Sequence, residues 1–320
     1  MSLINEIKLT SVSPVGTRTE LARKTGGSWS LEISDLAISF DIKKTIGKEK
    51  NTAKIKIYNL SETNRSEFLN RGSNVTLGFG KKIDDTILGP PSPNDQPIFF
   101  TIFKGDVFNS SSFAGSEADK ETLIECSTGG KAYNQVVNWS LGPASRIDEI
   151  LGLVTKSLKD AGVTMGTDFV REYKEKSKKQ GTFFPTGWAV SAKLEKALSM
   201  VFSRIKQNYS IQDDVFYYHS VFDPSQVNKV LLTPQTGLIS SVSKIQKRLS
   251  DPTEERSQKK EVNGIKFKCQ IIPGIQPGNL VEIDSRYAKG DYVLHNCRYV
   301  GGTRVVDCYI LCEAIEFGTH

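Results

Sequence analysis

Four side chains near the C-terminal end, His295, Cys297, Cys308 and Cys312, are of the types that ligate zinc. His295 and Cys297 stand two residues apart and Cys308 and Cys312 four apart, so on adjacent strands each pair would share one face. That pattern could gather an imidazole and three thiolates around one ion. The same residues also suit a plain sheet core, because cysteine is among the most buried residue types and structural zinc ligands sit on tight knuckles rather than in mid-strand. The expectation is therefore buried thiols without metal, with these four as the candidate set.

Other chemistry is thinly supplied. The chain holds three histidines, of which His320 is the last residue and His219 lies in the aromatic run "VFYYHS". No G-x-S-x-G elbow accompanies His219, which makes it a strand residue rather than a general base. Phosphate loops, dinucleotide fingerprints, H-E-x-x-H and calcium loops are missing from the sequence. A glycan hydrolase needs two carboxylates across a cleft, and none of the 36 acids is singled out for that role. Asp213-Asp214 reads as a hairpin turn, where aspartate accepts hydrogen bonds from its own backbone. The residues thus predict no catalytic site and no cofactor.

The elements that would position these residues are mostly strands. Ile55 and Ile57 alternate with polar neighbours, as do Val75, Leu77 and Phe79, and the run from Trp29 to Lys43 does the same around a bend at Ser34-Asp35. Ser61 is placed to cap a short helix through Leu69 that Gly72 would end. "GPPSPNDQP", from Gly89 to Pro97, reads as a loop. The pattern then becomes helical: Ile147, Ile150, Leu151, Val154 and Leu158 form one stripe stopped by Gly162, and a second stripe runs from Val190 to Gln207. Two charged stretches, Arg171 to Gly181 and Ser243 to Glu261, read as solvated loops, the latter exposed and mobile. Alternation returns in the last sixty or so residues.

Three echoes in the same order link the two β-rich ends: Ile55-Lys56-Ile57 with Ile265-Lys266-Phe267, Gly72 to Leu77 with Gly278 to Ile283, and Lys104-Gly105-Asp106 with Lys289-Gly290-Asp291. The expected architecture is mainly β with an α+β middle region. Two antiparallel β-barrels flank a helix-containing insert, divided as 1–132, 133–242 and 243–320. With 42 basic and 36 acidic residues the net charge is +6, too diffuse to argue for nucleic-acid binding. Five cysteines, an odd number, fit reduced thiols in a cytosol-like space. The start "MSLINEIKLTSV" shows no secretory leader, and no run of apolar residues is long enough to cross a membrane.

"LEISDLAISFDIKKT" followed by "NTAKIKIYNLSETNR" resembles the entry segment of the baseplate central hub proteins of contractile-tailed phages, a family distantly related to the hub part of the type VI secretion spike. Later stretches keep the family's order: "FFPTGWAVSAKLEKALSMVFSRIKQNYSIQDDVFYY", "LLTPQTGLISSVS", "GIKFKCQIIPGIQPGNLVEIDS" and "GDYVLHNCRYVGGTRVVDCYILCEA". The likeness spans nearly the whole chain and rests on order rather than on any single motif. It implies tube-protein-like barrels and a non-enzymatic baseplate hub in the virion tail, assembled in the host cytoplasm. It also implies a homotrimeric ring that adapts a hexameric tail tube protein to a trimeric central spike protein, with baseplate wedge components as further partners. A cell-wall hydrolase of the tail tip is the alternative. The long charged segment Ser243 to Glu261 departs from the family pattern.

Overall fold

A computed structural model describes residues 3–12, 30–33, 36–47, 49–62, 64–65, 73–83, 99–114, 120–166, 184–205, 208–219, 229–250, 259–304 and 307–317. The period-two runs become strands because each offers one row of apolar side chains to bury. On β3 (Ile38–Thr45) Ile38, Phe40 and Ile42 point inward, and on β4 (Thr52–Tyr58) Ala53, Ile55 and Ile57 do. Burying each large apolar side chain contributes about 1.5–3 kcal/mol. β5 (Asn74–Ile83), β6 (Phe100–Ala114) and β7 (Lys120–Ser127) complete an antiparallel unit in the order β3-β4-β7-β6-β5. β1 (Leu3–Val12) extends it antiparallel beside β5, and β2 (Ser30–Ile33) follows.

The C-terminal strands repeat this order. β14 (Ser243–Ser250), β15 (Lys259–Gln270), β16 (Leu280–Asp284), β17 (Lys289–Gly302) and β18 (Tyr309–Glu316) lie as β14-β15-β18-β17-β16, all antiparallel. Position for position this is the first unit again. The sixth place differs, since β13 (Lys229–Leu232) runs parallel to β16 where β1 runs antiparallel to β5. Residues from Lys229 onward therefore pack with the C-terminal strands, and Leu232, Leu238 and Val242 lie in the core that both units share.

The register makes the repeat specific. Laying Val75 and Leu77 on Val281 and Ile283 puts Gly105, opposite Val75, on Tyr292, opposite Val281. Counting on, the bulge at Phe108, between Val107 and Asn109, falls on the bulge at His295, between Leu294 and Asn296. One strand further, the pair Asn109–Glu125 falls on Asn296–Glu313; beyond that, Lys54–Glu125 falls on Lys266–Glu313. Each asparagine donates from Nδ2 to its glutamate at 2.9 Å. Each lysine pairs with the same carboxylate, at 2.9 Å in the first unit and 3.5 Å in the second. Of the three echoes in the sequence, the one through Gly72 to Leu77 lies in this register, and the other two are slipped from it by two residues. A slip of two keeps every side chain on its face, so alternation alone could not detect it.

Between the units lies an insert with its own core, built from α1 (Gly130–Asn134), β8 (Val136–Leu141), α2 (Ile147–Asp160), β9 (Thr164–Met165), β10 (Trp188–Lys193), α3 (Leu194–Arg204), β11 (Asn208–Gln212) and β12 (Val215–His219). α2 buries Ile147, Ile150, Leu151, Val154 and Leu158 as its stripe predicts, and Gly162 follows it at φ 82°. The second stripe is corrected: Trp188 to Lys193 form a strand paired with β8, and the helix begins at Leu194. Val190 fits either period, and pairing with β8 decides it.

The reading of Ser243 to Glu261 as a loop is also corrected, because Ser243–Ser250 pairs in register with Lys259–Lys266 and only residues 251–258 lie outside the described chain. Its charge reflects an edge strand with water on its free side. Ser61 does cap a helical turn, its Oγ accepting from Asn64 N at 3.3 Å. Ser34-Asp35, Ser66 to Gly72, Gly89–Pro97 and Arg171–Gly181 lie outside the described residues.

Candidate assembly interface

The two units join by one strand pair. Asn296–Gly302 of β17 runs antiparallel to Thr45–Ser39 of β3 over seven residue pairs, and Ile46 N extends the ladder by donating to His295 O at 2.9 Å. The sheet is thus continuous from one unit into the other. On its outer face the Arg298 guanidinium grips Asp41 bidentately, Nε to Oδ1 at 2.9 Å and a terminal nitrogen to Oδ2 at 2.6 Å. That contact holds the Asp41 carboxyl below its ordinary pKa. Thr45 Oγ1 donates to Asn296 Oδ1 at 2.8 Å, linking the joint to the Asn296–Glu313 pair. Gly301 sits opposite Phe40, where an added Cβ would come within 2.8 Å of the ring and 2.6 Å of Cys308 Sγ. A side chain there would have to displace the Phe40 ring and the Cys308 thiol.

The insert docks on the first unit beside this joint. Asp213 and Asp214 form the predicted hairpin turn between β11 and β12, at φ 51° and 63°, values Asp tolerates better than most residues. Their carboxylates face the sheet. Asp213 Oδ2 takes Lys44 Nζ at 2.6 Å and Oδ1 takes Lys104 N at 2.9 Å, while Asp214 meets Lys104 Nζ at 3.3 Å. The Lys44 side chain is 1% exposed, so this charge is compensated inside the protein and lies near the Tyr299 ring as well. Asn51 and Gln212, both buried, complete the contact: Asn51 Nδ2 donates to Gln212 Oε1 at 2.6 Å, and Gln212 Nε2 donates to Thr45 O at 2.8 Å.

The candidate metal set is not brought together. Cys297 and Cys312 oppose each other across β17 and β18, and the third thiol of the cluster is Cys269, with Sγ 3.9 Å from Cys312 Sγ. Cys308 lies before β18 beside the Gly302 backbone, and His295 is the extra residue of the bulge. Among the described residues no three His, Cys, Asp or Glu side chains are arranged to hold a metal ion. Burial pushes the Cys312 thiol well up, with the neighbouring thiols adding to the effect, so it stays protonated and unreactive. All five cysteines are free thiols. Alternation along β18 could have paired Cys297 with Cys312, but Cys269 comes from a strand 43 residues away and gave no local signal.

His219 lies on β12 opposite Asn208, and His320 is outside the described residues. Burial pushes the Asp106 carboxyl up, against hydrogen bonds from Lys131 N and the Asn74 amide. With those donors satisfied it serves the packing of α1 against β6. No helix among the described residues is long and apolar enough to cross a membrane.

Neither a scan against protein-family models nor a search of curated proteins found a match. Solved structures did match. The tail protein from Neisseria meningitidis MC58 superposes at TM-score 0.57 with 9% identity, covering 99% of this chain and 98% of that one. The 43 kDa tail protein of prophage MuSo2 from Shewanella oneidensis gives 0.57 with 8% identity over 98% and 97%. The E. coli c3393 protein, described as a type VI secretion component similar in structure to T4 bacteriophage tail proteins, gives 0.53 with 9% identity over 88% and 74%. The chain shares their fold.

Proposed function

We propose that this chain is the structural hub of a phage tail baseplate, three copies of which form a ring between a hexameric tail tube and a trimeric central spike. The observation that carries the reading is the repeated strand order, down to its bulge and its Lys–Glu–Asn cluster, within a chain that has the fold of tail proteins. A duplicated unit lets three subunits offer six similar faces to the tube while the insert, present once per chain, offers three to the spike. On this reading each unit closes as one tube-like barrel, residues 1–132 and the C-terminal strands from Lys229 onward, with the α+β insert between them. Tail tube protein, spike protein and baseplate wedge components are the partners, the virion tail baseplate is the location, and assembly takes place in the host cytoplasm.

The chain acts without catalysis in this role. Asp213 and Asp214, the adjacent acids most open to a catalytic reading, are occupied by Lys44, Lys104 and backbone. A reconstruction of the assembled tail, or of the hub co-expressed with its spike, should show three copies and six units in a ring. Two copies, or six copies giving one unit each, would overturn the adaptor.

A further inference from the structure

The insert's hairpin plugs one end of the first unit, and the repeat locates the same place in the second. In the first unit the turn at Asp213-Asp214 meets Lys44 and Lys104, while Asn51 Nδ2 donates to Ile211 O at 3.1 Å and to Gln212 Oε1 at 2.6 Å. Thr128 lies beside Asn51, its backbone nitrogen donating to Asn51 O at 3.0 Å. In the register of the repeat, Lys44 falls on Gln246, Asn51 on Asn263, Thr128 on Glu316 and Lys104 on Asp291.

Three of those four counterparts line one cavity. Gln246, Asn263 and Glu316 surround a space of about 750 Å³ together with Lys244, Tyr287 and Tyr292. The asparagine is the same residue type in both units, yet Asn51 is 1% exposed under the hairpin and Asn263 is exposed in the open cavity. Lys244 stands where the first unit has Ile42, on the row that faces the core. Polar side chains on an inward row leave room for a ligand where apolar ones would close up, and Tyr287 adds an exposed ring at the rim.

Charge defines the occupant. In the first unit two acids of the resident hairpin meet two lysines. In the second, Asp291 is held by Lys229 at 2.8 Å and Lys289 by Asp284 at 2.9 Å, while Lys244 is in no ion pair among the described residues. Glu316, at the place of Thr128, adds a negative charge that would repel a second acid. We infer that this cavity receives the tip of a β-hairpin from another protein, with one acidic residue for Lys244 and a backbone carbonyl for Asn263 Nδ2. The chain's own hairpin is already held by the first unit, in every copy alike, so the occupant is a different protein. This docking does not depend on the trimeric ring.

The probe is a labelled cyclic peptide of Tyr209 to Phe216 with Asp214→Gly, a hairpin with one acid, and fluorescence anisotropy against the full chain reads its binding. Saturable binding is expected, weaker by roughly tenfold or more for the same peptide with Asp213→Lys, because a charge-assisted hydrogen bond is lost. In the protein, Lys244→Glu should weaken binding by a similar factor and Asn263→Ala by roughly threefold or more, and both positions are exposed, so the fold is kept. Hydrogen exchange on adding the probe should slow in Ser243 to Gln246 and in Asn263 to Ile265, with β3 unchanged. No binding of the acidic probe, equal binding of both peptides, or full binding by the two protein variants overturns the inference. Slowed exchange on β3 around Lys44 also overturns it, since the probe would then be replacing the resident hairpin. None of these results touches the ring, whose copy number is read from the assembled tail.

Discussion

The two β units share strand order, bulge and ionic cluster, yet they meet the rest of the protein differently. The first carries the insert on its end through Lys44, Lys104 and Asn51, and among the described residues no strand pairs with the post-bulge edge of β6 on its β5 side. In the second, the corresponding edge of β17 is covered by β3, and Gln246, the counterpart of Lys44, is exposed on an open strand. Duplication supplies two equal frames, and the side chains at their edges and ends decide what each frame packs against.

The largest break in this asymmetry comes from Asp213→Asn, which keeps a turn residue that tolerates positive φ but removes the charge facing Lys44. Stranding a buried ammonium costs about 3–5 kcal/mol. Chemical denaturation should show that loss, with hydrogen exchange rising in β3 and in the β11–β12 hairpin. A loss under about 1 kcal/mol would mean that the turn is not anchored by this pair.

Next come the two asparagines. Asn296→Ala removes the link from Thr45 to Glu313 across the joint and should cost about 1–2 kcal/mol in the isolated chain. Asn109→Ala, at the matching exposed position, should cost no more than about 0.5 kcal/mol. Equal costs in the isolated chain would show that the joint does not distinguish the two frames.

The smallest effect concerns Arg298 and Asp41. This exposed bidentate pair contributes about 0.5–1 kcal/mol. Asp41 has a lowered folded pKa, so its contribution is complete above the unfolded value near 4 and fades as pH falls through the folded one. Arg298→Ala should therefore destabilise at neutral pH and approach the unsubstituted protein only in acid below the lowered folded pKa of Asp41. A gap that persists in acid would assign the Arg298 effect to packing of its stem.

Strand positions were legible wherever one face is buried, since Ile55, Leu77 and Val281 each sit in an alternating row. β14 was not, because it is an edge strand and the apolar row that marks a strand is missing from Lys244, Gln246 and Lys247. Val190 to Lys193 reads as part of the neighbouring helix for the related reason that Val190 suits both periods. The joint left no local trace: Arg298 and Asp41 stand 257 residues apart, and their meeting follows from the register of whole strands. Of the candidate metal set only Cys297 and Cys312 come together, since the bulge breaks the even spacing of His295 with Cys297 and Cys308 lies before β18 against the Gly302 backbone.

The seven residue pairs of the β17–β3 ladder also set how the chain bears load. A pull along the strand axes shears all their hydrogen bonds at once, and the joint holds until the whole set yields. A pull at right angles opens them one after another from an end, at far lower force. The protein is strong in one direction and peels in the other, so the orientation of its strands to an applied force determines whether the joint holds or opens.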